Sequence, residues 1–491
     1  MQPRVLTGET APARAGSPEA REAHARSPRV FESESAPADP AVLDQLAQGV
    51  AGADLAAPPV VLPDFHHKHD MEMPSSIAVA TEGTIRSTLT SASVNCGMAL
   101  IALEMDRPGR AAVEDFYRGV RERYPYPTTR RRDLTPAEVL RAATDGAHFA
   151  VERWGIDEAS LARIEEQGRI ALEPYGGDAR VARELPWLSV QLSRQRFGTI
   201  GPSNHFVELQ QVEEVLDPAA AELLGVRQDQ VTLQYHGGGG VLAGQVGRMF
   251  GKRKKISRKV KAQMRLQKPL YHLATARSLA ELRLRLALYF SDGCPPVERA
   301  SAEGERLLLA TAAAMNYGFA FRMATYASLC GLAERSFGAR GHQLVVDSPH
   351  NSIYEEEVDG RLAVVHRHNS CRAWPAPRMA GNPVFGQTGQ AVLLPGTNRT
   401  SSYLCVAGDG AAASLYSACH GAGTMVADFA ARGVSQPDPE GRSTLKFNYQ
   451  GTAPAEVAHL DDKGVDEALG ILVHHGLVRP VARMRPFAVL S

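Results

Sequence analysis

No stretch of the 491 residues approaches the roughly 18 consecutive apolar residues that a membrane-spanning helix needs. The N-terminal MQPRVLTGETAPARAGSPEAREAHARSPRV lacks the apolar core of a secretory signal. Net charge is missing as well: 54 Lys and Arg balance 54 Asp and Glu. That balance excludes a globally basic nucleic-acid coat and an acidic disordered chain, though not a local basic patch. The six cysteines are too few and too irregularly spaced to form a disulfide framework in so long a chain. There is no internal repeat. These absences lead us to expect a soluble cytoplasmic protein of a reducing compartment, an enzyme by size, with no membrane partner.

Residues 1–57 are rich in Ala, Pro, Glu and Arg and poor in aromatics, so they are expected to form a disordered tail. Within it, AVLDQLAQGV has the pattern of a short helix. A single domain is expected over 58–491. SIAVAT, GMALIAL, RLAVVH, AVLLP and SYLCVA read as strands bounded by Gly, Pro or polar clusters. LTPAEVLRAATDGAHFAVERW, ERLLLATAAAMNYGFAFRMATYASLCGLAER and VDEALGILVHHGL read as helices. Their order does not repeat strand–helix–strand, which predicts an α+β fold of mixed sheets with surrounding helices.

Residues 246–312 are expected to form a basic, mostly helical insertion. In GKRKKISRKVKAQMRLQKP, Ile256, Val260 and Met264 recur every four residues and make one apolar stripe on a helix. Lys252, Arg253, Lys254, Lys255, Arg258, Lys259, Lys261 and Arg265 cover the rest. A solvated helix docked by its stripe and a phosphate-backbone contact both fit. ELRLRLALYF alternates like a strand, yet Leu279, Leu282, Leu286 and Tyr289 also fit a helix, and periodicity leaves both open.

Four histidines stand in Gly-rich or small-residue contexts at the ends of apolar runs: His205 in GTIGPSNHFVEL, His236 in LQYHGGGG, His350 in VVDSPHNS and His420 in SACHGAG. Cys96 in SVNCGMAL has the same setting. Any one alone reads as a structural residue. Together they form the donor set of a borderline transition metal, which on its own points to zinc. Gly-Ala-Gly after His420 leaves backbone N–H groups open to an anion, which makes His420 a candidate nucleophile toward phosphorus. PGTNRTSSY is a second small-residue loop able to take a phosphate or a base, or an ordinary hairpin turn.

These motifs, in this order, resemble the RtcB family of RNA ligases: VNCGM, GTIGPSNHFVE, YHGGGG, AAAMNYGFAFR, DSPHN, VHRHNSCRAWP, GQAVLLPGTNRTSSY, CHGAG and VARMRPFAVLS. The resemblance implies an RtcB-like catalytic domain that joins an RNA 3′-phosphate or 2′,3′-cyclic phosphate to a 5′-hydroxyl, as in tRNA splicing or RNA repair. It implies GTP and one or two Mn²⁺ ions in place of zinc. Cys96, His205, His236 and His350 are implied as metal ligands and His420 as the nucleophile that takes GMP. Asn204, Glu208, His350, Asn351, Pro395, Gly396, Thr397, Asn398, Ser402, Gly421, Ala422 and Gly423 match nucleotide-contacting positions. RNA ends such as tRNA halves are the implied partner, with an archease-like activator and a monomeric state.

The pattern breaks at five places. Ser93 stands where the family has Asp, Gly240 and Thr424 where it has Arg, and His368 and Ser491 where it has Lys. The loss of Asp predicts one tight metal site and one weak or nucleotide-dependent site. The loss of four cations leaves room for two other functions: a nucleotidyltransferase that caps phosphate ends without sealing, and a non-catalytic RNA-end binder. Asp64, His66, His67, Lys68, His69 and Asp70 of LPDFHHKHD, or Arg399, are the candidate replacements.

Overall fold

A 36-residue helix, Ala302–Phe337, organises the molecule. It is apolar nearly all round, the signature of a buried helix. Its start is capped by the Ser301 hydroxyl, which accepts from the Gly304 amide at 3.0 Å, and Gly338 ends it in the left-handed conformation. The computed structural model describes residue 23 and residues 27–68, 71–126, 132–202, 204–251, 253–254, 257–291 and 295–491. His69, Asp70, Lys252, Lys255 and Ile256 lie outside the described residues.

Among the described residues the larger sheet has nine strands. Its main path runs Ala391–Leu394, Ser402–Ala407, Val478–Leu490, Phe206–Val215, Val231–Gly237, Gly97–Leu103, His342–Pro349. One face packs on the long helix through Val207, Leu209, Tyr235, Phe319 and Met323. The second sheet has five strands in the order Arg29–Val30, Val60–Val61, Ile77–Thr81, Arg361–His368, Asn351–Val358. The chain passes from one sheet to the other at His350, the single residue between His342–Pro349 and Asn351–Val358. The α+β expectation holds, as do the five named strands.

Three expectations change. The tail does not extend to residue 57. Arg29–Val30 pairs with Val60–Val61, and the helix Pro40–Val50 buries Val42, Leu46 and Val50. Leu46 and Val50 pack against Met73, Ile77 and Leu89, apolar partners that a composition count over 1–57 does not see. The expected helix in AVLDQLAQGV is this one. LTPAEVLRAATDGAHFAVERW forms two helices, Pro136–Asp145 and Ala147–Trp154, because Gly146 sits at φ 59°.

The boundaries of the basic insertion also move. Residues 246–249 close the helix Gly240–Met249, and 302–312 belong to the long core helix. Between them lie Arg258–Lys268 and Leu279–Phe290, which settles ELRLRLALYF as a helix. Met264 is buried and Val260 packs beside it, as the stripe predicts.

Candidate active site and metal centre

The site forms where the two sheets meet. Cys96 precedes the strand Gly97–Leu103, His205 precedes Phe206–Val215, and His236 lies near the end of Val231–Gly237. His420 follows the strand Ser417–Cys419. Met98 pairs with His236 and with Ser348 across neighbouring strands. Side chains alternate in a strand, so Cys96, His236 and His350 share one face of the large sheet.

The contacts follow from that register. Cys96 Sγ lies 3.3 Å from His236 Nε2 and 3.6 Å from His205 Nε2. His236 Nε2 lies 2.9 Å from His350 Nε2. One donor atom from each of Cys96, His236 and His350 falls within 4.8 Å of the others, all buried. His205 joins them, its ring 4.9 Å from that of His236. The four predicted ligands therefore converge.

His236 Nδ1 donates to the Asn204 carbonyl at 2.9 Å, so its Nε2 presents a bare lone pair toward His350 Nε2 and the thiol. His350 Nδ1 is buried without a hydrogen-bond partner among the described residues. Burial pushes the Cys96 thiol up to about 11 and holds the imidazoles neutral, with His205 down to about 4 and His236 and His350 well below the ordinary range. Neutral nitrogens and a sulfur, crowded and short of donors, fit a divalent cation.

The support beneath the cluster is the long helix. Arg322 pairs with Asp347, Nη2 to Oδ1 at 2.6 Å, both side chains without exposure. Its guanidinium also donates to the Asn95 carbonyl, and the Asn95 amide donates to the Met315 carbonyl. A Cβ at Gly318 would stand 2.9 Å from that of Asn95, so only glycine lets the loop sit this close to the helix. Sequence reasoning missed the Arg322–Asp347 pair. An Arg inside an otherwise apolar helix was the available signal.

His420 stands beside the cluster, its ring 4.0 Å from that of His350. Its Nδ1 donates to the Asn369 carbonyl at 3.0 Å, leaving Nε2 unprotonated. Burial, then the neighbouring Lys68 ammonium, hold it down at about 3. Lys68 also acts electrostatically on Cys96, His236, His350 and His368, so it is a cation facing this site.

Ala422 N donates to the Pro395 carbonyl at 2.9 Å, which seats the loop Gly421–Gly423 against PGTNRTSSY. A cavity of about 200 Å³ opens there, lined by Asn204, His205, Glu208, Pro395–Asn398, Ser402, Lys446 and Ser491 among others. Burial pushes the Glu208 carboxyl up to about 8. Asn351 is not in that cavity. Its amide Nδ2 lies 3.4 Å from the Ser93 carbonyl and its Oδ1 accepts from Asn369 N at 3.0 Å.

Three of the five departures have physical accounts. Gly240 has φ 76°, and a Cβ there would meet the Tyr317 ring at 2.6 Å, so no arginine fits without repacking. His368 is buried, its Nε2 3.0 Å from Met71 Sδ, and burial keeps it neutral. The Thr424 hydroxyl lies 3.1 Å from His66 Nδ1, and Asp64 Oδ1 accepts from Met425 N at 2.9 Å, so the PDFH loop clasps the helix after His420. Arg399 Nε donates to the Ala458 carbonyl at 3.0 Å. Arg253 and Lys268 are withdrawn from the basic patch, because both are buried and donate to backbone carbonyls.

The family model described as tRNA-splicing ligase RtcB matches residues 46–491. The chain is 29% identical over 360 residues to the tRNA-splicing ligase RtcB of Pyrococcus horikoshii, covering 70% of this chain and 38% of that protein. It is 27% identical over 450 residues to that of Thermococcus kodakarensis, covering 88% and 86%. It is 29% identical over 455 residues to the RNA-splicing ligase RtcB of Mycobacterium tuberculosis, covering 88% and 96%. The chain thus spans about two-fifths of the length of the Pyrococcus relative and most of the length of the other two. With that match over residues 46–491 and a buried Cys/His cluster that fits a metal, the chain belongs to the RtcB family.

Proposed function

We propose that the protein is an RNA ligase that joins a 3′-phosphate or 2′,3′-cyclic phosphate end to a 5′-hydroxyl, using GTP. The observation that carries the proposal is the placement of His420. Its Nδ1–H is spent on the Asn369 carbonyl, its Nε2 lone pair is free, its ring lies 4.0 Å from that of His350 in the Cys/His cluster, and the loop that follows it hydrogen-bonds Pro395 on the cavity wall. Nε2 attacks the α-phosphorus of GTP, forming a P–N bond and releasing pyrophosphate. A 2′,3′-cyclic phosphate is first opened by water, which breaks the bond to the 2′-oxygen and leaves a 3′-phosphate. The GMP then passes to the RNA 3′-phosphate, which turns a poor electrophile into an anhydride with a stable leaving group, and the 5′-hydroxyl displaces GMP.

Cys96, His236 and His350, with His205, would hold the metal. Mn²⁺ bound there would act as a Lewis acid toward phosphoryl oxygens. Glu208, Ser402 and Pro395–Asn398 orient the nucleotide. Of the amides after His420, that of Ala422 is spent on the Pro395 carbonyl and that of Met425 on the Asp64 carboxyl, so this loop positions His420. Lys68 supplies positive charge beside the nucleophile in place of the cations the family carries elsewhere.

Incubation with GTP and Mn²⁺ should add one GMP to the intact protein through an acid-labile bond, and His420→Ala should abolish it. A labelled RNA pair ending in 3′-phosphate and 5′-hydroxyl should be sealed by the native protein only. An adduct without sealing would favour a capping enzyme, and no adduct would favour an end-binding protein.

A further inference from the structure

The two helices that precede the long core helix carry their polarity inside out. Arg258–Lys268 runs on through the wider turn Pro269–Leu273, and Leu279–Phe290 follows. Lys268 Nζ donates to the Tyr289 carbonyl at 3.1 Å and Arg285 Nη1 to the His272 carbonyl at 3.0 Å. The pairs 268 with 289 and 272 with 285 advance in opposite directions, so the two segments lie side by side and antiparallel. Their inner faces meet the core through Met264, Tyr271 and Tyr289. Those same faces bury Gln267, Lys268, His272 and Arg285, each held by hydrogen bonds.

The outer faces hold the leucines. Leu279 is 72% exposed, Leu270 60% and Leu266 59%, and Leu284 and Leu286 are exposed as well. A surface helix ordinarily turns leucine inward and arginine outward. Trp187, 73% exposed, belongs to the same surface. Ser189 Oγ donates to Gln267 Oε1 at 2.9 Å, and the Tyr271 hydroxyl donates to the Glu184 carbonyl. Residues 184–189 therefore rest on 267–271, beside the outward Leu266 and Leu270. Single exposed leucines are ordinary; five on one pair of helices, with a tryptophan, mark a contact surface.

Charge narrows what can cover it. Arg258, Lys259, Lys261, Arg265, Arg277 and Arg283 are exposed, and none has a carboxylate partner among the described residues. Glu281 is the one acid between residues 257 and 291, and it pairs with Arg285. A second copy of the chain would set these cations against themselves. RNA would satisfy the cations and leave the leucines and Trp187 in water. A protein interface gathers its apolar side chains at a centre cleared of charge, whereas here Arg265 adjoins Leu266 and Arg283 adjoins Leu284. The surface of an anionic bilayer takes this mixture: leucine enters the acyl boundary, Lys and Arg reach back to the phosphates, and Trp sits between.

We propose that the outer face of Arg258–Leu273 and Leu279–Phe290, with Trp187, docks the protein peripherally on an anionic phospholipid bilayer. The contact needs no membrane-crossing helix, and none among the described residues is long and apolar enough to be one. The full chain is floated with vesicles of phosphatidylglycerol and phosphatidylcholine in equal parts, and with pure phosphatidylcholine vesicles as control. Tryptophan emission is followed in the same titration.

The native protein should float with the anionic vesicles only, with a blue shift in emission that Trp187→Phe removes. Leu270→Ser together with Leu279→Ser should weaken binding about tenfold or more, the loss of two apolar anchors, and leave the melt unchanged because both are exposed. Lys259, Lys261 and Arg265 changed together to Ala should weaken it about a hundredfold, at about fivefold for each cation near an anionic surface. Absence of flotation would overturn the proposal. So would flotation that the leucine changes leave intact and that brings no shift from Trp187, which is charge adsorption alone. An acidic amphipathic peptide that shifts Trp187 where vesicles do not would make the face a protein interface. Self-association lost with the leucine pair would make it a contact between copies, and either result would end the lipid reading.

Discussion

Burial pushes the Glu208 carboxyl up to about 8, and only the Gln210 amide, donating at 2.7 Å, opposes it. Between an unfolded carboxyl near 4.3 and this folded value, the native state keeps a proton that the unfolded chain has lost. The native state then binds more protons than the unfolded one, so stability falls as pH rises across that window. Asp64, raised to about 7 by burial, acts in the same direction. The buried neutral imidazoles of His205, His236, His350 and His420 act in the opposite direction below about pH 6.5, where unfolded histidines bind protons that these do not. The carboxyl contribution is therefore read as a difference: without nucleotide or metal, Glu208→Gln should melt progressively higher relative to the native protein from pH 5 to pH 8. Parallel curves for the two proteins would mean that Glu208 is ionised in the fold. At this scale the sequence was informative for the ligands, because Cys and His beside glycines carry a chemical signature. It was silent on the Arg322–Asp347 pair, whose significance comes from what lies across a helix, which local sequence does not contain.

Helices and strands in the core were legible because their apolar runs are long and bounded. The stretch after His236 was less so, because a row of basic residues looks the same whether it faces water or carbonyl oxygens. Arg253 donates to the carbonyls of Thr90 at 2.9 Å and Ser87 at 2.8 Å and reaches Glu72 at 3.3 Å. It therefore ties the end of Gly240–Met249 to the segment that leads into the cluster. Lys259, Lys261 and Arg265 on the next helix are exposed. Arg253→Ala should cost about 3–5 kcal/mol of stability, the usual penalty for breaking a buried charged network. Lys259, Lys261 and Arg265 changed together to Ala should leave the melt unchanged and reduce the salt dependence of RNA binding by up to three phosphate contacts. An unaltered salt slope would make this a solvated helix with no part in RNA binding.

For the molecule as a whole, residues 27–57 act as a strap over the second sheet. Beyond the packing of Leu46 and Val50, Arg29 Nη1 donates to the Ala413 carbonyl at 2.7 Å and Ser35 to Glu467 at 2.6 Å. Deleting the chain through residue 57 should lower the melting temperature and uncover Met73, Ile77 and Leu89. An unchanged melt would place the strap outside the cooperative unit. Composition hid this because a low apolar fraction can still place its few large side chains on one helix face.

The position of Val478–Leu490 has a consequence for how the molecule comes into being. This thirteen-residue strand lies in the interior of the large sheet, between Ser402–Ala407 and Phe206–Val215, and it carries Val489 beneath the nucleotide cavity. A chain leaves the ribosome N-terminus first. Until these residues emerge, the strands on either side wait with open edges and the cavity has no floor. An unfinished chain is thus inactive and exposes edges that invite pairing with other strands, so the timing of translation governs when the site can exist.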